Sequence, residues 1–207
     1  MSEIIEWSFA SSAKTGQTES GDYVFASTFE HEALIAVMDG LGHGAEAAFA
    51  AKLAVNVLAG YTGKQSLIAM VGECHQKLRG SRGAVMSLAL LNSLASTMTW
   101  LGVGSVEGVV LHKDTRMIPG QESLLLRAGV VGDHLPRLSA SIIQLGEGDL
   151  LMFATDGIRH GFADNVVLSD SPRRLASHTL ARHDRGTDDA TILVARYLNG
   201  ENSASRR

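Results

Sequence analysis

Between residues 84 and 154 the chain is cut into short apolar runs, at 85–91, 97–103, 106–111, 124–126, 142–145 and 150–154, with Gly, Asn, Asp and Pro punctuating them. Runs this short, bounded by turn residues such as Asn92-Ser93, Gly104-Ser105 and the stretch 146–149, predict a strand-rich meander. No helical period interrupts them, so the alternation of strand and helix that builds a parallel sheet is missing. Upstream, strands are expected at 4–9, 23–29 and 33–38, the last two separated by Glu30-His31-Glu32, a hairpin spacing. Phe49, Leu53, Val57 and Leu58 then recur at helical steps over 45–58. Leu67, Met70, Val71, Cys74 and Leu78 repeat that period in a second helix, joined to the first near 60–63. A third helix is expected over 171–183, with Ser169 or Ser171 as N-cap and Pro172 in its first turn, followed by a strand at 190–198. The order describes an α+β domain over residues 1–198; the polar tail 199–207 is expected to be disordered.

Composition narrows the function classes. The 207 residues are 45% hydrophobic and 19% charged, enough for a sizeable core and unlike a disordered chain. A formal charge of −4 argues against a nucleic-acid binder held by phosphate contacts. Cys74 is the single cysteine, which excludes a disulfide framework and a multi-cysteine zinc site; it reads as a small buried hydrophobe on a helix. No window reaches 18 uninterrupted apolar residues, and Met1-Ser2-Glu3 lacks a basic n-region. A cytoplasmic monomer with no membrane segment is therefore expected.

The informative acids sit at strand ends. Asp39 closes the run 34–38 and precedes Gly40; Asp156 closes 150–155 and precedes Gly157. Asp22 follows Ser20-Gly21 at the start of a strand, and Asp188-Asp189 opens the last one. One such residue is a common turn element. Four at the ends of strands in one sheet-rich chain would converge on a rim, where like charges oppose folding unless a cation neutralises them. Four carboxylates balance two divalent cations in formal charge. Oxygen-only ligands favour Mg²⁺ or Mn²⁺ over zinc. Two such ions about 3.5–4 Å apart can activate a water in line with phosphorus, which predicts phosphoester hydrolysis.

In order along the chain, Ser20-Gly21-Asp22, Ala36-Val37-Met38-Asp39-Gly40-Leu41-Gly42-His43-Gly44, Arg82-Gly83-Ala84, Gly102-Val103-Gly104, Ala154-Thr155-Asp156-Gly157 and Asp188-Asp189-Ala190-Thr191 resemble the metal-dependent serine/threonine phosphatases of the PPM (type 2C) superfamily. The resemblance is to the short bacterial branch of sporulation and stress-response phosphatases. Within it, Glu73-Cys74 ahead of Arg82-Gly83-Ala84 and the overall length are similar to the RsbX-like stressosome feedback phosphatases. It implies an αββα sandwich of two mainly antiparallel sheets flanked by helices. It implies that Asp39 bridges two metals, that the Gly40 carbonyl and Asp22 each serve one, and that Asp156 and Asp188 serve the other. Hydrolysis by a metal-activated water, without a phosphoenzyme, would release phosphate from phosphoserine or phosphothreonine. The implied partners are phosphorylated stressosome proteins, STAS-domain scaffold and antagonist, in a partner-switching pathway; a phosphorylated anti-sigma-factor antagonist is the alternative.

The departures are specific. Leu41 stands where many members place a histidine, which leaves His43 as the candidate general acid. Gly104-Ser105 lacks the aspartate associated with a third metal, and Lys14 is the candidate substitute for a phosphate-gripping arginine. A basic cluster, Arg173, Arg174, Arg182 and Arg185 with His178 and His183, reads as a solvated face or a surface for an acidic partner. Two rival readings are a pseudophosphatase that only binds phosphoproteins and a dinucleotide site, since Gly40 to Ala45 fits G-x-G-x-x-A between strand and helix. The first is disfavoured by four intact aspartates. The second needs a parallel strand after the helix and an acid about 20 residues on, where Tyr61-Thr62-Gly63 stands instead.

Overall fold

In the computed structural model, which describes residues 3–199, the apolar runs become two stacked sheets. The first runs β1 (Ile5–Ser12), β11 (Ala190–Tyr197), β10 (Leu150–Ala154), β6 (Glu107–Leu111), β7 (Gln121–Ser123), with every neighbour antiparallel. The second runs β2 (Asp22–Thr28), β3 (Glu32–Gly40), β4 (Ala84–Asn92), β5 (Thr97–Val103), β8 (Leu126–Arg127), and β9 (Ser141–Gln144) also pairs with β5. Only β5 and β8 are parallel. Helices α1 (Ala45–Leu58) and α2 (Leu67–Leu78) cover the second sheet and α3 (Pro172–His183) covers the first. The expected α+β, αββα architecture is the one observed.

Four layers explain why the central strands read as unbroken apolar runs. On β3, Ala33, Ile35 and Val37 face the core between the sheets, while Leu34, Ala36 and Met38 face α1 and α2. On β10, Leu151 and Phe153 point inward and Leu150, Met152 and Ala154 pack under α3. Helix α1 meets its sheet through Ala47, Ala50, Ala51 and Ala54, small enough for close approach. Ser66 caps α2 by accepting from the Ala69 N–H at 3.2 Å, and Ser171 caps α3 by accepting from the Arg174 N–H at 3.3 Å. Cys74 is buried in the α2 face, and burial pushes its thiol up to about 12, which leaves it inert.

One expected strand is divided. The run 124–126 is not a single strand: Gln121–Ser123 pairs with β6 in the first sheet, and Leu126–Arg127 pairs with β5 in the second. The chain changes sheets at Leu124-Leu125, where Leu124 is buried in the core between the sheets and Leu125 is exposed. After α1 come α2 and the antiparallel β4, so the parallel strand a dinucleotide fold requires is missing. Of the tail 199–207, only Asn199 lies within the described residues, where its side chain accepts from the Tyr197 hydroxyl at 3.0 Å. No helix among the described residues is long and apolar enough to cross a membrane.

Candidate metal centre

Strand direction brings the acids together. Strand β2 begins and β3 ends at the same edge of the second sheet, and their antiparallel register sets Asp22 opposite Asp39. Strand β10 ends and β11 begins at the matching edge of the first sheet, which puts Asp156 and Asp188-Asp189 there. Hydrogen bonds stitch the two edges: the Thr155 hydroxyl donates to Asp22 Oδ2 at 2.7 Å, and the Gly21 N–H donates to Asp189 Oδ2 at 2.8 Å.

Glycines permit this closeness. A Cβ on Gly40 would fall 2.0 Å from the carbonyl oxygen of Ala47 on α1, and one on Gly157 would fall 2.0 Å from the carbonyl oxygen of Asp189. The Gly-after-Asp pattern thus marks two places where backbone passes against backbone. Beyond Gly40 the loop is pinned by the Leu41 N–H donating to the Gly83 carbonyl at 3.0 Å and by an ion pair of Arg82 with Glu46 on α1.

The electrostatics are those of crowded carboxylates. Asp22 is 8% exposed, and burial, with Asp189 and Asp156 nearby, pushes its carboxyl up to about 7 even though the Thr155 hydroxyl favours its charged form. Burial, followed by the charges of Asp22, Asp156, Asp188 and Asp189, pushes Asp39 up to about 9. Asp22 Oδ1 is buried with no hydrogen-bond partner. An unmatched buried carboxylate oxygen among other acids is the arrangement a hard cation satisfies, and the donor set is all oxygen. Asp156 is exposed and Asp188 half-buried, so both face the opening. The acids share a rim without closing into a tight cage: among the described residues, no three Asp, Glu, His or Cys side chains stand together as a ready metal cluster.

The adjacent acids 188 and 189 divide their work. Asp189, 5% exposed, accepts from the Lys14 and Gly21 N–H groups, both at 2.8 Å, and so anchors the segment leading into β2. Asp188 keeps its carboxylate for the rim, where the Lys14 ammonium approaches it at 3.8 Å. Lys14 is thereby brought to the acids. His43 is exposed on the loop after Asp39. Sequence reasoning missed the structural role of Asp189 and the orienting hydroxyl of Thr155, which lies just past the end of β10.

Comparison with known proteins agrees with this fold. Residues 30–198 match the family of Stage II sporulation protein E (SpoIIE), and the chain belongs to that family of PP2C-type phosphatases. A curated relative, the phosphoserine phosphatase RsbX of Bacillus subtilis (strain 168), is 25% identical over 178 residues, covering 83% of this chain and 86% of its own. A chain solved in work on the bacterial stressosome as a modular system controlling secondary messenger signalling superposes with a TM-score of 0.84 at 28% identity, covering 94% of this chain and 100% of that one. A crystal structure of RsbX in complex with magnesium superposes with a TM-score of 0.83 at 20% identity over 95% and 97% of the two chains, a likeness of fold.

Proposed function

We propose that the protein is a metal-dependent phosphoserine/phosphothreonine protein phosphatase that acts on phosphorylated stressosome proteins in a bacterial partner-switching pathway. The observation that carries the reading is the convergence of Asp22, Asp39, Asp156 and Asp188 from two sheets onto one rim, with Asp22 and Asp39 held far above the usual carboxylate range. Likeness to RsbX and to a chain from stressosome work supports the choice of substrate class.

In this reading Asp39, Asp22, the Gly40 carbonyl, Asp156 and Asp188 would hold two Mg²⁺ or Mn²⁺ ions, with Asp39 shared, Asp22 and Gly40 serving one and Asp156 and Asp188 the other. Such ions, when bound, supply the Lewis acidity that activates water toward phosphorus. The chain's own residues do the rest. Thr155 fixes the Asp22 carboxylate by its 2.7 Å hydrogen bond, and Asp189 fixes the approach of the 14–21 segment. Lys14, carried on that segment, offers an ammonium to the phosphate as it enters. His43, exposed on the loop that follows Asp39, is the candidate general acid for the departing serine oxygen.

The test is hydrolysis of p-nitrophenyl phosphate and of a phosphoserine peptide with Mn²⁺, Mg²⁺ or chelator. Metal-dependent turnover that Asp39→Asn abolishes, in a variant that stays folded, is the expected result. Turnover that persists in chelator, or in Asp39→Asn, overturns the assignment.

A further inference from the structure

Helix α3 carries Arg173, Arg174, His178, Arg182 and His183 and no acid. Arg182 and His183 suit the negative end of the helix dipole; Arg173 and Arg174, in the first turn behind Pro172, oppose the positive end. Helix stability therefore gives no reason for the first pair. Arg174, His178 and Arg182 recur every four residues, so they lie on one face as an exposed stripe about 12 Å long at 1.5 Å per residue. Arg174 leans toward Asp170 at 3.4 Å, while among the described residues no carboxylate pairs with Arg173 or Arg182. The nearby Asp184 is occupied by the Ser12 hydroxyl and the Gly186 N–H.

The stripe leads to the acidic rim. The Arg159 N–H donates to the His183 carbonyl at 2.8 Å, and the Arg185 N–H donates to the Gly157 carbonyl at 2.9 Å, so two further exposed arginines stand between α3 and Asp156. Beside the stripe a groove of about 190 Å³ separates α3 from the 162–170 segment, whose Phe162, Val166, Val167, Asp164 and Asp170 line the wall opposite; these two carboxylates leave the outward face of the stripe, not the groove floor, as the cationic surface. This concentration of positive charge occurs on a chain of net charge −4 whose reactive rim is itself made of carboxylates. On the phosphatase reading two divalent cations would balance the rim's formal charge and take the phosphate, so long-range attraction for an acidic segment beside the phosphate falls to this cationic face.

We infer that the α3 face is a docking track for an acidic segment flanking the phosphoserine of the substrate protein. An extended segment rises about 3.3 Å per residue, so about four residues span the stripe. The inference rests on the phosphatase reading and deepens it by naming what the substrate presents outside the phosphate.

The experiment separates the two. A fluorescein-labelled serine peptide with a glutamate flank, and its glutamine-flanked twin, are titrated with the protein at low and high ionic strength. Because serine carries no phosphate, binding is read without turnover. The glutamate peptide is expected to bind about tenfold tighter at low salt, with the difference fading as salt screens it. Arg174→Glu with Arg182→Glu should erase the preference and Arg174→Gln with Arg182→Gln should reduce it. Lys64→Glu with Arg116→Glu, an equal change of net charge elsewhere on the surface, should leave it intact. Circular dichroism confirms that each variant is folded. Equal binding of the two peptides by the wild-type protein, or equal loss of preference in both Glu pairs, overturns the docking track. Hydrolysis of p-nitrophenyl phosphate with Mn²⁺, measured alongside, tests the phosphatase reading alone: activity without flank preference sinks only the track, and flank preference without activity sinks only the phosphatase.

Discussion

Asp188 and Asp189 show how much one bond vector decides. The two have the same side chain and adjacent positions, yet Asp189 accepts two backbone N–H groups in a buried pocket and Asp188 faces the rim. Asp189→Asn keeps the shape but sets an amide NH₂ against a buried donor, so it should destabilise the protein by about 1.5–3 kcal/mol in urea titration, the worth of charged hydrogen bonds. Asp188→Asn should leave metal-free stability nearly unchanged and remove Mn²⁺-dependent turnover; equal denaturation midpoints for the two variants would contradict this division. Asp39→Asn has the opposite sign. A carboxyl raised to about 9 when folded contributes stability below its ordinary value near 3.8 and loses it as pH rises through about 9. Asn needs no proton to enter this site, so the substitution should raise the melting temperature of the metal-free protein at neutral pH while abolishing activity, a gain in stability that an unrelated core position would not give.

Elements meet at this rim only because glycine allows it. Gly40→Ala would drive a methyl group into the Ala47 carbonyl, a backbone atom that cannot swing aside, and α1 must lift from β3. Loss of several °C in melting temperature, together with loss of Mn²⁺ uptake by calorimetry, is expected; retention of both would show that α1 yields without disturbing Asp39. The bounded elements were legible in the sequence: 45–58, 97–103 and 150–154 have the predicted bounds because each is a helical repeat or a short apolar run flanked by turn residues. The 124–126 run was misread because an apolar triplet does not reveal which of two sheets its backbone joins. The four rim acids were legible through their place at strand ends, but the choice between 188 and 189 depended on tertiary donors from residues 14 and 21. Nothing local announced the buried link after β6 either. There His112 Nδ1 lies 2.7 Å from Asp149 Oδ2 and Nε2 lies 3.2 Å from Glu122 Oε1, and Asp149 also accepts from the Lys113 and Gly146 N–H groups. Burial lowers the His112 pKa, but the hydrogen bonds to Asp149 and Glu122 outweigh it and the net direction is up. His112→Ala breaks a buried pair and should destabilise by about 3–5 kcal/mol at about pH 6, less in alkaline buffer.

At the scale of the whole molecule, Asp22, Asp39 and His112 push metal-free stability the same way. All have folded pKa values above their unfolded ones, so each contribution is complete below the unfolded value, near 3.8 for the acids and 6.5 for His112, and is lost as pH rises through the folded value. For Asp22 and Asp39 that loss falls around pH 7 and 9. A divalent cation reverses the acid part alone, since it binds the deprotonated carboxylates and offsets their repulsion. The stabilisation on adding Mn²⁺, read as an increase in melting temperature, should therefore grow from about pH 5 to about pH 8, reaching about 2.7 kcal/mol of free energy for each site at a hundredfold excess over its dissociation constant. Asp39→Asn removes the larger acid part: its residual pH dependence should be that of Asp22 and the His112 link, and its Mn²⁺ response should vanish at every pH. A Mn²⁺ shift independent of pH would mean that the ion binds elsewhere, and the two sheets would then have brought their acids together without a metal to hold.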